Sequence, residues 1–248
     1  MDARDTDPTF TQDLTELYFM SDRTGDKRIW RSLRPTADDP WGTPAVVPEL
    51  NTAGENENPF VSNDGLTLWF FTDRDRTISS QWRSTRASRS DPWGAPAPVE
   101  GLGFGEESSD VAVAVDPTET LFILNSKPAG PPPYRLYRLE RATASDPLGA
   151  PVLMEEVVSD ANEYDPDLRR DGLFLAFDSS RVEPRQIYWT RRADRDSPFD
   201  PPVAVPALAG QSNDEAAAFS EDLRYVMFSS NRTGNTEIYE VILSTPLF

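Results

Sequence analysis

Five polar residues stand at matching points along the chain, each just ahead of an extended run: Asp7, Asn58, Asp110, Asp165 and Glu215. They recur at intervals of roughly fifty residues, a period typical of repeat architectures. More carboxylates lie beside them, at Asp5, Glu57, Glu106, Glu107, Glu163 and Asp214. Oxygen donors of this kind suit two chemistries. Carboxylates gathered at one point repel unless arginines or a cation compensate them, and oxygen-only ligands select Ca²⁺ or Mg²⁺ over zinc. Two of the acids, drawn from Asp7, Asp110, Asp165 and Glu215, could instead form the carboxyl pair of glycoside hydrolysis, which needs about 5 to 10 Å between them.

Composition removes most competing chemistries. The chain has 248 residues, 42 acidic against 24 basic, and neither histidine nor cysteine, for a formal charge of −18. Histidine triads, thiol nucleophiles, zinc sites built on histidine or thiolate, and disulfides all lack their residues. The acidic balance makes phosphate backbones and anionic lipid poor partners, because few basic residues are present to release counterions. The longest apolar runs, Val111 to Val115 and Leu173 to Phe177, are far short of the roughly 20 residues that cross a bilayer. Met1 to Asp7 carries aspartates and no apolar stretch, so no signal peptide is expected in it.

The elements that would position the acids follow from self-comparison. Five segments end alike: Leu17 to Arg23, Leu68 to Arg74, Leu121 to Lys127, Leu175 to Arg181 and Val226 to Arg232. About ten residues before each terminal basic residue stands a turn aspartate, Asp13, Asp64, Asp116, Asp171 or Asp222, so a tight turn joins two extended runs. A third run rich in aromatic and β-branched residues follows, as in Arg28 to Leu33 or Gln186 to Thr190. Then comes Asp39-Pro-Trp-Gly42 or its counterparts at Asp91, Asp146 and Ser197, leading into a short Pro/Ala/Val strand of the sort tolerated at a sheet edge. The last repeat ends before that strand. No segment has a 3.6-residue apolar period. The pattern predicts an all-β fold, a five-bladed β-propeller with four antiparallel strands per blade and an incomplete last blade. The repeats lie at about 5–54, 55–107, 108–161, 162–212 and 213–248, in a single propeller domain over residues 1–248.

The phrase Pro59-Phe-Val-Ser-Asn-Asp-Gly65, then Leu68-Trp-Phe and Thr72-Asp-Arg74, resembles the TolB-type propeller repeat, which is related to WD repeats. A better copy runs from Phe219-Ser-Glu-Asp222 through Phe228-Ser-Ser-Asn-Arg-Thr-Gly234 to Ile238-Tyr239. The resemblance covers nearly the whole chain. It implies a periplasmic or secreted setting and an architectural use of acids and asparagines ahead of the first strand. TolB itself carries an additional domain and is expected to have six blades, so its partners are not carried over.

In a propeller the first strand of each blade lines the axis. Asp7, Asn58, Asp110, Asp165 and Glu215 are therefore expected as a ring at one mouth, and they are the candidate Ca²⁺ ligands. The other reading has these acids bonding backbone amides and pairing with Arg23, Arg74, Lys127, Arg181 and Arg232. Trp41, Trp93 and Phe199, and the column Trp30, Trp82, Tyr137, Tyr188 and Tyr239, are expected between blades. Two irregular stretches, Gly101 to Glu107 and Lys127 to Tyr134, are candidate binding loops. The expected function is a non-enzymatic binding module. It would engage an unknown protein partner or a small cationic ligand through its loop face and acidic channel mouth, as a monomer without nucleic acid or membrane insertion. The alternative is a five-bladed carbohydrate-active enzyme, a glycoside hydrolase with paired carboxylates at the axis.

Overall fold

The structure is a computed structural model, and it describes residues 3–74, 80–104, 109–127, 133–208, 210–244 and 247, without the side chains of Ser80, Ser109 and Asp110. Blade one comprises β1 (Asp5–Phe10), β2 (Glu16–Ser21), β3 (Arg28–Leu33) and β4 (Ala45–Val46). Blade two is β5 (Asn56–Val61), β6 (Thr67–Thr72), β7 (Ser80–Thr85) and β8 (Ala97–Pro98). Blade three is β9 (Ser109–Val115), β10 (Leu121–Lys127), β11 (Arg135–Glu140) and β12 (Val152–Leu153). Blade four is β13 (Glu163–Leu168), β14 (Phe174–Ser179), β15 (Gln186–Arg191) and β16 (Val203–Ala204). Blade five has β17 (Asp214–Phe219), β18 (Tyr225–Ser230) and β19 (Glu237–Ile242), with no fourth strand among the described residues. Each sheet is antiparallel and ordered as in sequence, which makes a five-bladed all-β propeller.

The turn aspartates do what their spacing predicts. Asp13, Asp64, Asp116, Asp171 and Asp222 each accept backbone N–H bonds from residues just beyond the turn, as Leu66 N–H to Asp64 at 2.9 Å and Leu173 N–H to Asp171 at 2.8 Å. The residue closing each turn has a left-handed backbone: Leu14, Gly65, Glu119, Gly172 and Leu223. Glycine meets this demand without strain, whereas other residues meet it at a cost.

Both faces of each central strand are buried, so a blade is stable only between neighbours. Apolar clusters fill every junction. Tyr18, Ile29, Val47 and Leu50 of blade one meet Val61, Leu68 and Phe70 of blade two, and similar clusters join two to three, three to four and four to five. Blades five and one meet through Ala218, Tyr225 and Met227 against Phe10, Leu17, Phe19 and Trp30. A backbone bond repeats at the junctions: Asn56 N–H to Lys27 C=O at 3.0 Å, Glu163 to Tyr134 at 3.0 Å and Asp214 to Arg185 at 2.9 Å. Asp5 N–H to Thr236 C=O, 3.0 Å, closes the ring with the same bond.

Two sets of arginines fasten the blades internally. Arg23, Arg74, Arg181 and Arg232 lie over the aromatic pairs Phe19/Trp30, Phe70/Trp82, Phe177/Tyr188 and Phe228/Tyr239. Their forks bond Asp5, Asn56, Glu163 and Asp214, one or two residues ahead of the Asp7, Asn58, Asp165 and Glu215 expected to pair with them. A second set, Arg34, Arg86, Arg141 and Arg192, went unseen in the sequence. Each donates Nε–H to a carbonyl of the turn between first and second strands and, except at Arg141, covers the aromatic of the Pro-aromatic turn: Trp41, Trp93 or Phe199. Leu243 holds that position in blade five, its N–H bonded to Arg224 C=O as the Arg34 N–H is to Thr15 C=O.

Gly65 tests the turn geometry. At its φ of +74° an added Cβ would meet Thr11 Cγ2 at 3.0 Å and Arg86 Nη2 at 3.1 Å. Gly65→Ala is expected to destabilise by about 1–2 kcal/mol, read as a fall of about 2–8 °C in melting temperature by calorimetry.

Candidate functional site

The first strands β1, β5, β9, β13 and β17 pack side by side around the axis. In four of them one extra residue is inserted: Asp7-Pro8, Asn58-Pro59, Asp165-Pro166 and Ala216-Ala217 each stand opposite a single residue of the second strand. The leading residue of each pair has positive φ, 57° at Asp7, 46° at Asn58, 45° at Asp165 and 51° at Ala216. Asp and Asn tolerate this region better than other non-glycine residues. Proline after three of them further disfavours a right-handed helical backbone at the leading residue. The repeated Asp/Asn-Pro is thus a bulge signature as well as a chemical one.

These residues line an axial cavity with ≈ 40 Å³ of room for water-sized molecules, together with Asp167, Ala112 and Val113. Asp7, Asn58 and Asp165 meet there as expected. Glu215 does not. It lies one residue ahead of the bulge residue Ala216 and forms an ion pair with Arg185, as Glu57 does with Lys27 at 2.9 Å. Asp110 is also displaced: blade three carries its irregularity earlier, with Asp110 opposite Ser126 and Ala112 opposite Asn125, so its cavity-facing residues are apolar. The Asp110 side chain, Glu106, Glu107 and most of the two candidate loops lie outside the described residues. Among the described residues no three acids converge as a set that could hold a metal ion.

Blade four supplies three residues the sequence reading did not single out. Asp178 of β14 is fully buried behind Asp165, accepts the Ala216 N–H at 3.0 Å and lies 3.2 Å from Arg185 Nη1. Arg185 also stands 4.9 Å over the Tyr164 ring, which lies 5.1 Å from Tyr134. Asp167 of β13 accepts the Phe219 N–H at 2.9 Å, bridging to blade five as Thr9 bridges blade one to Val61. The signal was irregularity: Asp178 stands where other blades have Met20, Phe71, Asn125 and Ser229, and Asp167 where they have Thr9, Phe60, Ala114 and Ala218.

Electrostatics separate the acids. Burial pushes Asp7 up to about 6, helped by Glu57 and opposed by the Thr6 hydroxyl, which donates to it at 2.9 Å. Burial, then the charges of Asp178 and Asp7, raise Asp165 well above the carboxylate range, although Asn58 Nδ2 donates to its Oδ1 at 3.0 Å. Burial raises Asp178 as well, opposed by the Arg185 guanidinium and then the Ala216 N–H. Of the two, Asp165 is the one that keeps its proton, because Asp178 has the guanidinium and an amide to stabilise its charge. Burial lowers the Arg185 pKa, but Asp178, Asp165, Tyr164 and Asp7 outweigh this and raise it. Asp167, raised to about 7 by burial and then Glu221, is opposed only by the Phe219 N–H. The axis therefore holds protonated and ionised carboxyl groups side by side near neutral pH.

No protein-family model matches the sequence, and no curated protein matches it. Solved structures match over nearly the whole chain. An α-L-arabinofuranosidase from Podospora anserina, in complex with cellotriose, is 12% identical, with 98% of this chain and 91% of that one covered at a TM-score of 0.65. An endo-arabinase from Bacteroides thetaiotaomicron is 13% identical over 98% of this chain and 96% of that one, TM-score 0.63. TolB from Acinetobacter baumannii is 15% identical over 96% of this chain and 54% of that one, TM-score 0.53. At such identities the likeness is one of fold, and it includes the TolB-like propeller the sequence pointed to. The expected non-enzymatic binding module is corrected by these matches. The α-L-arabinofuranosidase and the endo-arabinase align over nearly their whole length with this chain, at higher TM-scores than TolB.

A raised carboxyl pKa makes the folded state hold its proton more tightly than the unfolded state. Asp167, at 3.8 in its ordinary state and about 7 here, therefore costs stability as pH rises from about 4 to 7, with a slope of at most about 1.4 kcal/mol per pH unit. Asp167→Asn keeps an acceptor for the Phe219 N–H. In urea titrations from pH 4 to 8 its stability is expected to gain on the natural chain steadily towards pH 7.

Proposed function

We propose that the protein is a glycoside hydrolase that works with carboxyl groups at the propeller axis, with Asp165 as general acid and Asp7 as general base. The observation that carries this reading is the contrast with Asn58. Asparagine meets the same left-handed backbone demand without charge, yet Asp7 and Asp165 retain ionisable groups in a site where burial penalises them. A carboxyl group held protonated beside one that ionises near pH 6 is the division of labour that glycosidic cleavage needs.

Asp165 would donate its proton to the departing glycosidic oxygen. As the glycosidic bond breaks, the water oxygen would bond to the anomeric carbon and Asp7 would take that water's proton; Arg185 would offset the charge left on Asp165, and exchange with solvent would carry the proton from Asp7 back to Asp165. The cavity admits water-sized molecules and no sugar ring. The scissile bond would therefore lie across the mouth while Asp7 activates a water held inside. Tyr164, next to Asp165 and close to Tyr134, gives an aromatic surface beside the acid. The likeness to arabinofuranosidase and arabinase folds makes arabinose-containing polysaccharides the first substrates to try. Such substrates suit a periplasmic or extracellular setting, and a chain without cysteine tolerates either.

The test is release of reducing sugar from arabinan, arabinoxylan and a wider glycan panel between pH 4 and 8. Activity is expected to rise through about pH 6 as Asp7 ionises. Asp165→Asn and Asp7→Asn should each lower kcat/KM by about 10²–10⁴-fold. No hydrolysis across the panel, or undiminished activity in both variants, overturns the reading.

A further inference from the structure

The four junctions from blade one to blade five share a device that the ring-closing junction lacks among the described residues. After its fourth strand each of blades one to four contributes two apolar side chains three residues apart: Val47 and Leu50, Val99 and Leu102, Met154 and Val157, Val205 and Leu208. They pack between that blade and the next. The cluster between blades five and one has no such pair among the described residues. The backbone tells the same story. Val47, Val99, Met154 and Val205 donate N–H bonds to Ile29, Gln81, Leu136 and Ile187 at 2.9 to 3.1 Å. In blade one Asn51 also bonds both the N–H and the C=O of Ile29. Ile238 holds that position in β19, and no described residue pairs with its outward backbone groups. Accordingly β19 is far more exposed than its counterparts, with Ile242 78% exposed.

We infer that the groove between blades five and one, with the open edge of β19, accepts an extended peptide whose two aliphatic side chains lie three residues apart. The four complete blades of the same chain show what fits: a short strand antiparallel to the edge, then the apolar pair entering the junction. Charge narrows the occupant further. Glu237 and Glu240 are exposed along the edge, and the protein carries a net charge of −18. Basic residues flanking the aliphatic pair therefore complement the surface, and acidic ones oppose it. This surface is separate from the axial cavity.

The probe is a fluorescein-labelled peptide with the sequence of residues 201–208 and one lysine added at each end. Fluorescence anisotropy with the whole protein should show saturable one-to-one binding. Aspartate at the two peptide positions that correspond to Val205 and Leu208 should weaken it about tenfold or more. Hydrogen exchange should slow across residues 237–242. The Asp165→Asn protein should bind equally well, so the result stands apart from the axial reading. The inference is overturned by lack of saturation up to about 1 mM, by equal binding of the aspartate peptide, or by protection elsewhere. It is also overturned by a homodimer that already protects 237–242, which would assign the edge to a second copy of this chain.

Discussion

A four-stranded sheet with two apolar faces has no stable life alone, and burial of both faces is the constraint from which the rest of this molecule follows. Blades must close into a ring, and closing the ring forces the five first strands against one another. There is little room at that centre, so four of the strands buckle at the same point and turn one residue inward with a left-handed backbone. The site is thus a by-product of packing that the sequence has then put to use. Where the centre needs only a bent backbone, Asn58 and Ala216 suffice. For the proposed chemistry, Asp7 and Asp165 stand instead.

Burying acids together demands a counterweight, and beside Asp178 it comes from Arg185 of blade four. Arg185 opposes the effect of burial on Asp178, and the charge of Asp178 adds to burial in keeping the proton on Asp165. A symmetrical fold has acquired an asymmetrical centre. Repeated groups such as Asp5 with Arg23 or Asp214 with Arg232 carry the architecture, and the departures from repetition carry the proposed chemistry.

Much of this was readable from the chain. Periodic turn aspartates and basic strand ends gave the blades, and the residue before the first strand brought Asp7, Asn58 and Asp165 to the axis. Glu215 was misplaced by one residue because the bulge in blade five falls on alanine, which carries no polar signal. Asp110 failed because blade three bends earlier in its strand, and register is invisible without the partner strand. Asp167 and Asp178 lie inside strands at positions filled elsewhere mostly by apolar or small residues, so only alignment of the second strands shows them as exceptions. The arginine clamps at Arg34, Arg86, Arg141 and Arg192 bond carbonyl oxygens, which leave no mark on a sequence.

Those clamps and the stacked set at Arg23, Arg74, Arg181 and Arg232 also give meaning to an odd composition, in which Lys27 and Lys127 are the only lysines beside 22 arginines. A planar fork that bonds two groups while lying flat on a ring has no ammonium equivalent. The wheel is therefore nearly blind to reagents and modifications that seek primary amines. Dicarbonyl compounds, which condense with guanidinium groups, would attack the rivets that hold each spoke together.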